Sequence, residues 1–178
     1  AIGRLLLGSV SQKVLHAAHG NVRIARESTP ESDTPIRLII GVDGSAGADA
    51  AVKAVAARHW PPGSEARIVN AFPILPAVGT EYVAVAIAKW FADEKARANE
   101  AVEKAVSKLK GIGLTVSKAM KEEDARHSLV GEAEAWKADC VFVGAKGLGT
   151  IERFLLGSVS SFVATHAPCS VEVVRGHE

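Results

Sequence analysis

Residues 36–42 are apolar at nearly every position and rich in β-branched side chains, which predicts a strand buried on both faces of a parallel sheet. Asp43-Gly44-Ser45 stops that run, and the Ser45 hydroxyl offers an N-cap for a helix over residues 48–59. Asp49 and Lys53 form an i,i+4 pair on the polar face of this helix, and Pro61-Pro62-Gly63 ends it. A second strand follows at 66–72. Pro73, Pro76 and Gly79 then predict an irregular loop over 72–82, before a long helix at 83–110 with an apolar stripe of Val102, Ala105, Val106 and Leu109. The remainder reads as a strand at 114–120, a helix at 126–137 with Leu129, Val130, Ala133 and Trp136 inward, and a strand at 140–144. A helix at 158–166 and a strand from Ser170 to Arg175 complete the pattern. Five strands alternating with four helices imply right-handed crossovers and a doubly wound α/β layer structure. Ligands of such sheets sit beyond the carboxyl ends of the strands, where the strand order reverses, and both Asp43 and Gly144 fall at such ends.

The chain also repeats itself. Residues 2–26 laid on 151–175 without gaps match at Ile2, Arg4, Leu6, Leu7, Gly8, Ser9, Val10, Ser11, Val14, Ala18, Val22 and Arg26. Residues 1–26 therefore read as the helix-and-strand tail of a preceding copy, 27–35 as a linker rich in Pro and small polar residues, and 36–178 as one complete domain. Gly8-Ser9 repeats the end of the later glycine pattern without its beginning, so the first copy builds no site alone.

The most informative chemistry is Gly144-Ala-Lys146-Gly147, nine residues, then Gly157-Ser158. Glycines allow close approach of backbone to an anion and positive φ, and Gly157-Ser158 opens a helix whose free N–H groups and dipole attract phosphate. Ser158 and Ser160 add hydroxyl donors. A bare turn before a helix needs glycine too, so the loop has a purely structural reading beside the functional one. Neither the Walker pattern nor the dinucleotide glycine pattern is present.

The Gly-x2-Gly-x9-Gly-Ser spacing, with Val42-Asp43-Gly44-Ser45 after the first strand and Ala167-Pro168-Cys169-Ser170-Val171 before the last, resembles the ATP-binding branch of the universal stress protein family. The resemblance implies a five-stranded parallel sheet in the order 3-2-1-4-5, adenine nucleotide alpha hydrolase-like, with helices on both faces. It implies ATP, with Mg2+ possible, as the ligand. Asp43 would meet the ribose, and the backbone around Val42 and Ala71 would lie beside the adenine. Gly147, Gly157, Ser158, Val159 and Ser160 would cradle the phosphates, and Gly44, Val143 and Gly144 would belong to the same nucleotide site. Lys146 reads either as a phosphate-seeking charge or as a solvated surface lysine, and Asp43 either as a ligand group or as a turn aspartate bonding its own backbone. Valine at Gly147 or Gly157 is expected to abolish binding and leave the fold near intact. The resemblance further implies a stress-response regulatory module, with a slow ATP hydrolase or phosphotransferase and an empty scaffold as alternatives; no general base is visible for turnover. It also implies pairing of Ser170 to Arg175 with Asn21 to Arg26, as a homodimer or within the chain.

Composition sets outer limits. The 178 residues are 48% hydrophobic and 23% charged with a net charge of +1, a globular mixture with its charges interleaved, so no basic stripe invites nucleic acid. No apolar run reaches the length of a membrane span and no signal peptide opens the chain, which reads as cytoplasmic. Cys140 and Cys169 form no metal spacing and read as buried reduced thiols. His16 and His19 lack further ligands, and His127, His166 and His177 lack a nucleophile. Glu122, Glu123 and Asp124 read as a solvated loop, and Trp60, Trp90 and Trp136 as packing residues.

Overall fold

The computed structural model describes residues 7–26, 34–72, 81–148 and 156–176. Most of the 72–82 loop and of the linker lies outside the described residues. Chain order is α1 (Ser9–Ala17), β1 (Val22–Ile24), β2 (Arg37–Gly41), α2 (Ala46–Ala56), β3 (Glu65–Phe72), α3 (Glu81–Lys108), β4 (Thr115–Glu122), α4 (Ala125–Ala135), β5 (Cys140–Gly144), α5 (Ser158–His166) and β6 (Ser170–Val174).

The strands form one sheet in the order β1-β6-β5-β2-β3-β4. The five strands β2 to β6 pair in parallel in the expected order. The expectation of a five-stranded, wholly parallel sheet is corrected by a sixth strand. β1 joins the outer edge of β6 antiparallel, with Val22 opposite Val173, Arg23 opposite Glu172 and Ile24 opposite Val171. An unpaired β6 edge would leave a row of N–H and C=O groups open, and the repeat supplies a strand of like pattern to cover it.

Two apolar layers hold the sheet. On one face Ile39, Val141, Val143, Val171 and Val173 pack with Leu129, Ala133 and Val163 of α4 and α5, and Leu15 of α1 joins them. On the other, Leu38, Ile40, Ile68 and Phe142 pack with Val52 and Val55 of α2 and with Val102, Ala105 and Leu109 of α3. The central strands β2 and β5 are buried on both faces, as their unbroken apolar sequence requires.

Polar residues brace this frame. Ser45 caps α2 by accepting from the Ala48 N–H at 3.1 Å, and Asp49 meets both Lys53 at 3.0 Å and Lys108 of α3. Arg58, just past α2, holds the buried Glu172 of β6 and lies over the Phe142 ring. Glu132 of α4 pairs with Arg67 and Lys121; burial opposes its charge, but these two cations together draw its carboxyl below the usual range. Trp60 and Trp136 pack as expected, against Phe142 and the Arg67 guanidinium respectively, whereas Trp90 is 46% exposed and is no core residue.

Candidate functional site

A cavity of about 350 Å³ opens at the carboxyl ends of β2 and β5, the neighbouring strands from which the chain crosses in opposite directions. Its inner wall is apolar, formed by Val42, Val69, Ala71, Leu129 and Val143. Its mouth is polar and is formed by Asp43, Lys146, Gly147, Gly157 and Ser158, with Gly144, Val159 and Ser160 between the two.

The loop that leaves β5 is held from several sides. Ala145 donates its N–H to the Val174 carbonyl at 2.7 Å, and its own carbonyl accepts from Gly157 N–H at 2.8 Å and Ser160 Oγ at 3.0 Å. The Ser45 hydroxyl donates to the Lys146 carbonyl at 3.4 Å. Asp43 spans the opening: its Oδ1 accepts from Ser45 N–H at 2.9 Å, and its Oδ2 accepts from Leu148 N–H at 3.2 Å. The turn-aspartate geometry and a position at the cavity mouth therefore coexist in one residue.

The N-terminus of α5 points into the same cavity. Its N-cap is Gly157, which has no side chain to bond the first turn, whereas α2 and α4 are capped by Ser45 and Asp124. Among the described residues the N–H groups of Ser158, Val159 and Ser160 find no acceptor, so a partial positive charge faces the mouth.

Four details differ from what the sequence predicts. The motif glycines do not adopt positive φ: among the described glycines only Gly44, Gly63, Gly111 and Gly113 do, and Gly157 sits at −64°. Their requirement is space. A β-carbon on Gly144 would collide with the backbone of Gly47, and one on Gly157 would stand 3.2 Å from the Ala145 carbonyl oxygen. Valine at Gly157 therefore disturbs the loop itself, while at Gly147 a β-carbon meets only the Asp43 carboxylate, at 2.6 Å. Gly44 does not line the cavity; its φ of 85° makes the turn after β2. The Ser160 hydroxyl is buried and donates to Ala145 and Gly157 carbonyls, which leaves its backbone N–H to face a ligand.

Sequence reasoning missed several contributors. Gly41, Ser45, Ala48, Val69, Ala125, Leu129 and Leu148 also line the cavity. Asn70 stands behind it, donating to the Val42 carbonyl at 2.7 Å while Val42 donates to Val69 at 2.9 Å, so the β2 end is fixed from β3. An asparagine inside an apolar strand was the available signal. His16, His19 and His127 are exposed, and no group of three His, Cys, Asp or Glu suited to a metal occurs among the described residues.

The profile of the Universal stress protein family matches residues 37–175. A universal stress protein of Mycolicibacterium smegmatis is 30% identical over 190 aligned positions that take in 98% of this chain and 58% of that protein. The chain thus spans little more than half the length of this relative. Among solved structures, the universal stress protein UspA from Lactobacillus plantarum superposes with a TM-score of 0.67 at 23% identity, over 79% of this chain and 97% of that one. A universal stress protein in complex with cAMP superposes with a TM-score of 0.56 at 25% identity, over 80% and 97%.

Proposed function

The chain belongs to the universal stress protein family, and on that premise we propose that its cavity binds an adenine nucleotide, ATP foremost, and that the protein is a regulatory stress-response module. One observation carries the reading. The Gly144-x2-Gly147-x9-Gly157-Ser158 loop presents an uncapped helix N-terminus at the mouth of a cavity whose inner wall is apolar. Phosphates fit the mouth and a purine fits the wall formed by Val42, Val69, Ala71 and Leu129. The complex of a related fold with cAMP supports the same chemistry.

In this reading Asp43 turns from the Leu148 N–H to the ribose hydroxyls as the nucleotide enters, and Gly147, Ser158, Val159 and Ser160 bind phosphate through backbone N–H groups. Lys146 adds a mobile charge to the triphosphate tail. Any Mg2+ arrives with that tail, since Asp43 is the one acidic residue lining the cavity among the described residues.

Residues 1–26 are read as the closing helix and strand of a preceding copy, supported by the repeat and by an alignment to the M. smegmatis protein that takes in nearly the whole chain. No helix among the described residues is long and apolar enough to cross a membrane, and a cytoplasmic site of action belongs to the same proposal.

Calorimetric titration of the full chain with ATP, ADP, AMP and cAMP tests this. Binding of at least one is expected, with ATP tightest, and Gly147→Val is expected to abolish it while circular dichroism stays unchanged. No heat from any of the four, or undiminished affinity in a folded Gly147→Val chain, overturns the proposal.

A further inference from the structure

The parallel ladder between β2 and β3 stops in the middle of a residue. Odd-numbered residues of β3 turn their peptide groups toward β2: Glu65 N–H donates to the Ile36 carbonyl at 2.9 Å, and the Val69 carbonyl accepts from Val42 N–H at 2.9 Å. The neighbouring even-numbered Ser64 faces β4, its carbonyl accepting from Thr115 N–H at 3.1 Å. With Gly41 opposite Val69, the next bond of the ladder would run from Ala71 N–H to the Val42 carbonyl. That bond is not formed. The Val42 carbonyl accepts instead from Nδ2 of Asn70 at 2.7 Å. Two residues on, Gly44 at φ 85° turns the chain into α2, so its N–H does not bond the Ala71 carbonyl. Ala71 thus leaves a donor and an acceptor without a partner on the β2 side among the described residues, and it lines the cavity.

Asn70 is an unfavourable residue to keep at this place. It is 4% exposed, on the sheet face to which Ile68 also points, and its Oδ1 accepts no hydrogen bond among the described residues. Flipping the carboxamide would set Oδ1 against the Val42 carbonyl, so the orphan is inherent to the site. A buried acceptor without a partner destabilises a fold, and a leucine of similar volume would fill the place without one. Local stability therefore favours leucine and one more backbone bond, and the chain has neither.

We propose that Asn70 is a positioning residue for the base. By occupying the Val42 carbonyl it stops β2 from zipping onto Ala71, and so keeps the Ala71 peptide edge open toward the cavity. The inference rests on the nucleotide reading above and adds how that reading selects adenine. An extended residue offers its N–H and C=O on one side, and this pair matches a base edge with a ring-nitrogen acceptor beside an amino donor. Adenine has that edge at N1 and its 6-amino group. Hypoxanthine sets N1–H and O6 there, with donor and acceptor exchanged, and a site built to bond one pattern rejects the other. Asn70 itself touches neither base nor phosphate and acts through Val42 and Ala71.

The test reads the full chain in two ways. Without nucleotide, residue-resolved hydrogen exchange compares the Ala71 amide with that of Val69, which lies inside the ladder. Wild type is expected to exchange freely at Ala71 and slowly at Val69. Asn70→Leu removes the donor and lets the Val42 carbonyl turn to Ala71 N–H, so the Ala71 amide is expected to slow by at least about tenfold. Asn70→Ala, which adds no bulk, is expected to do the same and decides the matter if leucine fails to pack. A substitution that merely loosened the fold would speed amides. With nucleotide, calorimetry compares ATP with inosine triphosphate, which differs from it only at the edge in question. Wild type is expected to prefer ATP, and each variant to lose about tenfold in ATP affinity so that the preference collapses. The proposal falls if Ala71 is as protected as Val69 in nucleotide-free wild type, or if it stays fast in the folded variants. It falls equally if the preference for ATP survives in a variant whose Ala71 amide has slowed. Failure of both nucleotides to bind wild type would sink the nucleotide reading itself, whereas equal binding of the two would sink only the role given to Asn70.

Discussion

A β-carbon at Gly144 would overlap the Gly47 carbonyl group, and one at Gly47 would overlap the carbonyl oxygen of Lys146. Backbone cannot swing aside as a side chain does, so Gly144→Ala and Gly47→Ala are each expected to lower stability by about 1–3 kcal/mol, read as a fall in the thermal midpoint. The thiols give a second check at this scale. Burial pushes Cys140 up to about 12 and Cys169 up to about 11, so both stay protonated and shielded. A disulfide-exchange reagent at mildly alkaline pH is expected to label neither in the native protein and both after denaturation. The glycine spacing and the buried cysteines were legible in the sequence because each is a local pattern. Gly47 was not, since nothing in Ser-Ala-Gly-Ala announces contact with a carbonyl a hundred positions later. Positive φ was expected of the motif glycines and is instead found at Gly44, because the motif needs room and the turn needs handedness.

At the scale of elements, caps decide where helices begin. Asp124 accepts from the Arg126 N–H at 2.9 Å and is the N-cap of α4, although its Glu-Glu-Asp setting reads as a solvated loop. No glutamate follows three positions later to mark a capping box, so the signal was absent. Asp124→Ala is expected to cost about 1 kcal/mol, measured by urea unfolding. Hydrogen bonds from Arg126 hold the Asp124 carboxyl at about 2, below its ordinary range. Its contribution is therefore whole above about pH 4 and fades as pH falls through about 2, so the wild-type advantage over Asp124→Ala should vanish in that acid window. Ser45, by contrast, was read correctly, because a hydroxyl directly before an apolar-periodic run is the local signal for a cap. Helix and strand types were recovered throughout, with ends displaced by at most three residues, since periodicity marks an interior better than a terminus.

The whole molecule is a sheet whose centre is dry and whose edges differ. Leu38, Ile39 and Ile40 of β2 and Val141 and Phe142 of β5 are almost wholly buried, while every position of β4 is exposed or half-buried. Hydrogen exchange should accordingly be slowest in β2 and β5 and fastest, among strands β2 to β6, in β4; protection in β4 equal to that in β5 would contradict this core. Parallel pairing was expected from the alternation of strands and helices, but the strand order came from a family resemblance, since periodicity says nothing about which strand lies beside which. The sixth strand became a candidate only through the repeat, because Val-Arg-Ile is too short to be read as a strand by pattern alone.

Gly47 is crowded against both Gly144 and Lys146. The segment leaving β5 is backed by the first turn of α2 with no clearance behind it, and Ala145 is pinned to Val174. Any incoming anion must therefore be met where the segment already stands, or must draw it outward toward solvent; retreat is sterically closed. Such a wall resists compression and yields only to tension, so the recess should tighten around what it pulls and exclude what pushes.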